Sequence, residues 1–383
     1  MPAPPEHTPS GLRLATIGSI PIYIGSSWFL LAAIIVALIG PQIAASNPDL
    51  GAAAYAVALA HALGLLVAVL VHEASHAGVA RLFGHTVHAV VADLWGGHTT
   101  YDPTKGRPGS AAAIAGVGPL SNGILGFVAF LLLPVVPAGI PSSLVGAFAL
   151  VNGLLALFNL LPGLPLDGGQ LVEALVWKIT GTRHTGRVVA GWCGRVVAGL
   201  VVLWAVLPLL SGEGLDPFRV IWVLLIAAFL WRGASAAVQA GESLGVLARI
   251  DPDSVIRPAV AVHERSVVAD VSRHDEHAWV PVVIDNGGRP TAMISGAALD
   301  SVPAAERART PVAAVMAPQP PEWVVALDGE RSDQVRALVQ AFQEHDLAVL
   351  AVTRGGRMVG VVSVHELGDA LRRAQGQPGR ARP

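Results

Sequence analysis

From about residue 26 onward, long apolar stretches broken by short polar ones organise the chain. A helix that crosses a bilayer needs ~20 mostly apolar residues. Six stretches qualify: 27–46, 53–82, 110–133, 143–161, 188–210 and 218–240. A different rhythm occupies 85–102, HTVHAVVADLWGGHTTYD, where apolar and polar residues alternate around a Gly-Gly pair. That alternation, with its β-branched content, predicts a short β-hairpin. After Gly241 the long apolar runs stop, and two similar stretches follow at 253–303 and 311–372. Each reads as a strand, a charged amphipathic helix, two strands and a closing helix. PVVIDNGGRPTAMISGAAL in the first aligns with LAVLAVTRGGRMVGVVSVHELGDAL in the second, which puts Ser295 and Ser363 at helix N-caps. The predicted fold is an α-helical polytopic membrane protein of about six transmembrane helices with a short β-hairpin, followed by a soluble α/β module. The expected divisions are a membrane domain at 1–245, the two repeats at 246–305 and 306–373, and a disordered tail at 374–383.

Composition sharpens this picture. Of 383 residues, 53% are hydrophobic and 14% charged, against roughly a quarter charged in soluble domains. The net charge of -2 gives no polyelectrolyte surface for nucleic acid. Cys193 is the single cysteine, so an internal disulfide and a cysteine-built zinc site are both excluded. The opening MPAPPEHTPSGLRLATIG lacks the basic start and short apolar core of a cleavable signal, so the first apolar segment is expected to be retained. Basic residues collect in alternate connections: Arg81, Lys105 and Arg107 around one, Lys178, Arg183 and Arg187 in another. The stretches 41–52, 134–142 and 208–217 have none. The positive-inside rule then puts the N-terminus, both basic connections and the C-terminal module of this multi-pass cell-membrane protein in the cytoplasm.

The chemistry concentrates at HEASH, 72–76, which ends the second apolar run. Ionisable residues at membrane depth cost several kcal/mol unless they pair or bind a metal, which makes them functional candidates. His72 and His76 are i and i+4, so their rings share one helix face and can grip one ion. Imidazole suits zinc, and a catalytic zinc keeps three protein ligands with one position left for water. Glu73, adjacent and not needed as a ligand, can take a proton from that water. The third ligand comes from elsewhere, because Val79 and Leu82 stand where an extended HExxHxxGxxH motif would put glycine and histidine. Glu173, His98, Asp93 and Asp102 are conceivable. Asp167 is the strongest, since NLLPGLPLDGG (159–169) breaks the fourth span with Pro162 and Pro165 and turns backbone inward. His61 lies eleven residues before His72, at ~16 Å too far to share an ion. His85, His88 and His98 are expected on the wet side of the hairpin.

HEASH followed by NLLPGLPLDGG resembles the site-2 protease family of intramembrane zinc metalloproteases. Six spans followed by a pair of CBS domains is similar to the branch that includes a sporulation protease processing a membrane-tethered sigma-factor precursor. The resemblance covers about residues 15–375. It implies one zinc ion held by His72, His76 and Asp167, Glu73 as the catalytic acid/base, and Asn159 near the substrate or transition state. GPLSN, 118–122, matches a small-xxx-polar pattern on the third span, for which close helix packing through Gly118 is the expected role. The implied partners are the lipid bilayer and a single-span membrane protein, such as a membrane-tethered transcription factor or anti-sigma factor, with homo-oligomers through the CBS pair. CBS pairs also bind adenine nucleotides, but the ribose-binding Asp three residues after the Ser or Thr is replaced here by Ala298 and Glu366. A hairpin at 85–102 would help by pairing with an unwound substrate as an added strand, and proline at Val90 or Val91 would then lower cleavage. The alternative reading is a CBS-gated transporter or channel, with the broken fourth span as an ion path.

Overall fold

A computed structural model describes residues 11–93, 96–101, 106–210, 217–271, 279–329 and 331–376; Asp102, Lys105 and 377–383 lie outside that set. The chain divides into two compact units, Met1–Glu242 and Ser243–Pro383.

The first unit opens with strands β1 (Gly11–Ile17) and β2 (Ile20–Gly25), for which the apolar pattern gave no expectation. Gly18 and Ser19 join them with φ of 53° and 74°, the two positive values that fit a tight turn to twisted strands. Helices α1 (Ser26–Ser46) and α2 (Ala53–Leu82) follow. The expected hairpin is present as β3 (Val87–Asp93) and β4 (Gly96–Tyr101). It is half of a larger sheet of order β1-β2-β3-β4, in which β2 lies parallel to β3.

The remaining helices of this unit are α3 (Pro108–Leu132), α4 (Ile140–Asn159), α5 (Asp167–Thr180), α6 (Arg183–Leu210) and α7 (Pro217–Ala248). All but α5 are long and apolar enough to cross a membrane, which makes six candidate spans among the described residues. Within the 162–187 connection α5 is an addition: 14 residues, too short to span, ending at Gly181 in the left-handed conformation. Along α2, Ala54, Ala58 and Ala62 are fully buried at four-residue intervals, a small-residue face that admits neighbouring helices closely. Further along the helix the buried residues become polar: His72, Glu73 and His76.

The second unit is one sheet of order β8-β7-β6-β5-β11-β10-β9. Its first half holds β5 (Arg257–His263), α8 (Val268–Val271), β6 (Val280–Ile284), β7 (Pro290–Met293) and α9 (Gly296–Asp300). Its second holds β8 (Ala317–Pro318), β9 (Val324–Ala326), α10 (Arg331–His345), β10 (Val349–Arg354), β11 (Arg357–Ser363) and α11 (Val364–Ala374). The halves repeat one plan. β5 runs parallel to β6 as β9 does to β10, and each ends in an antiparallel pair. Ser295 and Ser363 accept the backbone N–H of Ala298 and Glu366, both at 3.2 Å, and so cap α9 and α11.

Candidate active site

Near its C-terminal end α2 carries His72 and His76 one turn apart, their ring centroids 4.7 Å apart and inclined at 77°. Asp167 arrives from the first position of α5. What delivers it is the broken segment after α4. Leu164 N–H bonds to Ala190 O of α6 at 3.1 Å, which pins the segment to its neighbour. Gly169 packs so closely on the backbone of Gly163 and Leu164 that a Cβ there would overlap it. The LDGG sequence is thus a sterically required fold-back that points a carboxylate at α2.

Asp167 Oδ2 lies 2.9 Å from His72 Nε2 and 3.4 Å from His76 Nε2, and the two nitrogens are 3.1 Å apart. All three residues are 6–7% exposed. His76 Nδ1 donates to Ile114 O at 2.6 Å. With its proton committed there, His76 turns a bare Nε2 lone pair toward a carboxylate oxygen and a second imidazole. With the His72 proton on Nδ1 as well, the three facing atoms would all be acceptors in a buried triangle, an arrangement that a cation among them would satisfy. Tetrahedral zinc, with ligands at about 2.0–2.1 Å, places them about 3.3 Å apart, close to the separations found. Two imidazoles and one carboxylate are a zinc-type donor set, so these residues fit the ion.

Glu73 offers a carboxylate oxygen within 4.8 Å of the histidine nitrogens. Its Oε2 accepts from the Thr99 hydroxyl on β4 at 2.9 Å. Gly97, on the same strand, passes directly over it, and a Cβ there would meet the Glu73 side chain. Gly118 on α3 faces both imidazoles, and a Cβ there would overlap the His76 ring. Its role is therefore more than helix packing: it leaves room for the rings. A cavity of about 520 Å³ opens on these groups and is lined also by Asn122, Leu155, Phe158, Asn159 and Phe229.

The other acidic candidates do not join the triangle. Glu173 is held by Arg183 at 2.9 Å, and Asp93 pairs with His98 at 3.8 Å by the cavity mouth. His61 bonds to Val57 O of its own helix at 2.8 Å and lines a separate apolar cavity. His85 corrects the expectation of a wet-side residue, because it is buried with its ring against Tyr101. The hairpin stands as expected, and what is corrected is which of its strands has a border that an added strand could use. β3 is flanked by β2 and β4, and Val90 and Val91 are 1% and 4% exposed. Among the described residues β4 pairs with β3 alone, so the edge beside the site belongs to β4.

A family model described as Peptidase family M50 matches residues 134–204, the portion that includes the Asp167 segment. The chain is 31% identical to "Putative zinc metalloprotease Rip3" of Mycobacterium tuberculosis over 336 residues, 83% of this chain and 82% of that one. It is similar to the solved structure of a site-2 protease from Methanocaldococcus jannaschii, with TM-score 0.42 and 26% identity, over 59% of this chain and 94% of that chain. The structure of a CBS domain of a membrane protein from Sphaerobacter thermophilus aligns at TM-score 0.27 and 18% identity, over 35% of this chain and 94% of that one.

Proposed function

Since the chain belongs to peptidase family M50, the site-2 proteases, and is a multi-pass intramembrane zinc metalloprotease, we propose that it cuts a single-span membrane protein within or near its transmembrane segment. A membrane-tethered transcription factor or an anti-sigma factor is the fitting substrate class. In this proposal His72, His76 and Asp167 hold the zinc and Glu73 moves the proton. The observation carrying it is the convergence of those three ligand atoms, at 2.9–3.4 Å, beside an acid on an apolar span.

Held by His72, His76 and Asp167, zinc would supply Lewis acidity for the scissile carbonyl and the attacking water. Glu73 takes the proton of the attacking water and returns it to the leaving amine. Thr99 occupies Oε2, which leaves Oε1 for that proton. Asn159, lining the same cavity, contacts the substrate. The N-terminus, the two basic connections and the Ser243–Pro383 unit are assigned to the cytoplasm, the latter as a CBS pair that modulates cleavage. Glu366, at the position of the ribose-binding Asp, completes a capping box on α11 by receiving the Ser363 N–H at 3.3 Å.

The full chain in lipid vesicles should cut a single-span protein, stop when zinc is chelated and resume when zinc is restored. Metal-independent cleavage would refute the reading.

An unwound substrate exposes backbone groups that need partners at membrane depth, and the β4 edge offers them as an added strand. Thr100 is exposed on β4 and distinct from Thr99. Thr100→Pro removes a backbone donor and should slow cleavage roughly tenfold, worth about 1.4 kcal/mol, with zinc content unchanged. A rate equal to wild type would remove strand addition from the mechanism.

A further inference from the structure

The two zinc-binding histidines are served unequally. His76 gives its Nδ1 proton to Ile114 O, whereas the buried Nδ1 of His72 meets no hydrogen-bond partner. A histidine that presents Nε2 to a metal carries its proton on Nδ1 and normally donates it to a nearby acceptor. Left as it stands, this buried donor is unsatisfied, which costs stability. Asn122 is the complementary case. It is 0% exposed, and both Oδ1 and Nδ2 lack a partner. Asn152, equally buried, leaves only its Oδ1 without a partner, because its Nδ2 donates to Phe148 O of its own helix at 2.9 Å.

The helix register sets the two orphans together. His76 bonds to Ile114, and Gly118, one turn along α3 from Ile114, faces the rings of both His76 and His72. One more turn along that face is Asn122, just as His72 is one turn back along α2 from His76. Both line the same cavity. We propose that Asn122 is the positioning residue of His72. Rotation of its carboxamide lets Oδ1 accept the Nδ1–H, which fixes the tautomer that turns Nε2 toward zinc. The Ile114 carbonyl plays that part for His76.

This inference rests on the zinc reading above. The test uses the full-length chain carrying Glu73→Gln, which prevents self-cleavage, and measures zinc affinity by competition with a chelator. Asn122→Leu and Asn122→Ala remove the acceptor and should weaken zinc by ~10–100-fold. Asn122→Asp keeps an acceptor, and its affinity should stay close to that of the parent. A residue that only packs predicts the reverse order, with Leu tolerated as a near-isosteric apolar replacement and Asp harmful as a buried charge. Parent-like affinity in a folded Leu or Ala variant, or Asp as weak as Leu, overturns the assignment. The two truncations are read independently, so misfolding of one leaves the other decisive. A parent protein that binds no zinc overturns this assignment together with the metal centre beneath it, a result distinct from any difference among variants.

Discussion

Glu73→Gln should lower the rate of substrate cleavage by about 10³-fold, the scale of a general acid–base contribution, while leaving the zinc content unchanged. Gln matches Glu in shape and can still accept the Thr99 hydroxyl through its amide oxygen, so the side chain keeps its place under Gly97. It loses the capacity to take a proton at neutral pH. The proposed ligand triangle needs nothing from Glu73, since Asp167 Oδ2 already lies 2.9 and 3.4 Å from the histidine nitrogens. Single-turnover cleavage of a single-span substrate, with metal content measured on the same preparation, checks both halves. Undiminished turnover defeats the proton-transfer role. Loss of zinc together with activity would move Glu73 into the ligand set, since its carboxylate lies within 4.8 Å of the histidine nitrogens.

Gly118→Ala should also be severe, for a steric reason. The added methyl would overlap the His76 ring and crowd that of His72. α3 is itself tied to that ring through Ile114 O, so the helix has little freedom to retreat. The imidazoles must swing away, and a displacement near 1 Å in a catalytic constellation costs about 10²-fold in rate. Zinc affinity should fall with it. Gly123→Ala, on the same helix, is the control: its Cβ would sit 3.9 Å from Ala156, an ordinary contact. That substitution should be silent or mildly stabilising, because alanine suits a helix interior better than glycine. Equal effects from the two changes would show that helix propensity, and no ring contact, governs the result.

Much of this is legible in the sequence, and the limits have physical causes. A span declares itself by apolar length alone, so all six appear in the sequence at nearly their structural positions. HEASH is visible because i and i+4 share a face in any helix. Asp167 is visible because paired prolines and glycines break an otherwise apolar run. β1 and β2 are short strands set against a chain dominated by longer apolar signals, and α5 falls below spanning length. The hairpin was legible from alternation, yet its neighbour was not, because nothing local in β3 says that β2 lies parallel beside it. Val90, a proline-test position for strand addition, is therefore an interior residue. Thr99 and Ile114 escaped altogether: they reach Glu73 and His76 across 26 and 38 residues, and a lone threonine or a backbone carbonyl carries no motif. Gly118 was noticed for helix packing, while its proximity to the rings emerges only when α2 and α3 are set side by side.

Thr99 has one further consequence. It steadies the Glu73 carboxylate from the same strand whose outer border pairs with no other strand among the described residues. Any ligand that laces onto that border stiffens β4 from both sides, and the carboxylate inherits the rigidity. If substrate docks there and Glu73 takes the proton, docking and proton abstraction would be geared to one another. A helix drifting past in the bilayer, with its own carbonyls already engaged, has nothing to offer the strand and leaves the gear idle. Discrimination among the many helices of a membrane would then rest on how readily a segment unravels, ahead of which side chains flank the bond.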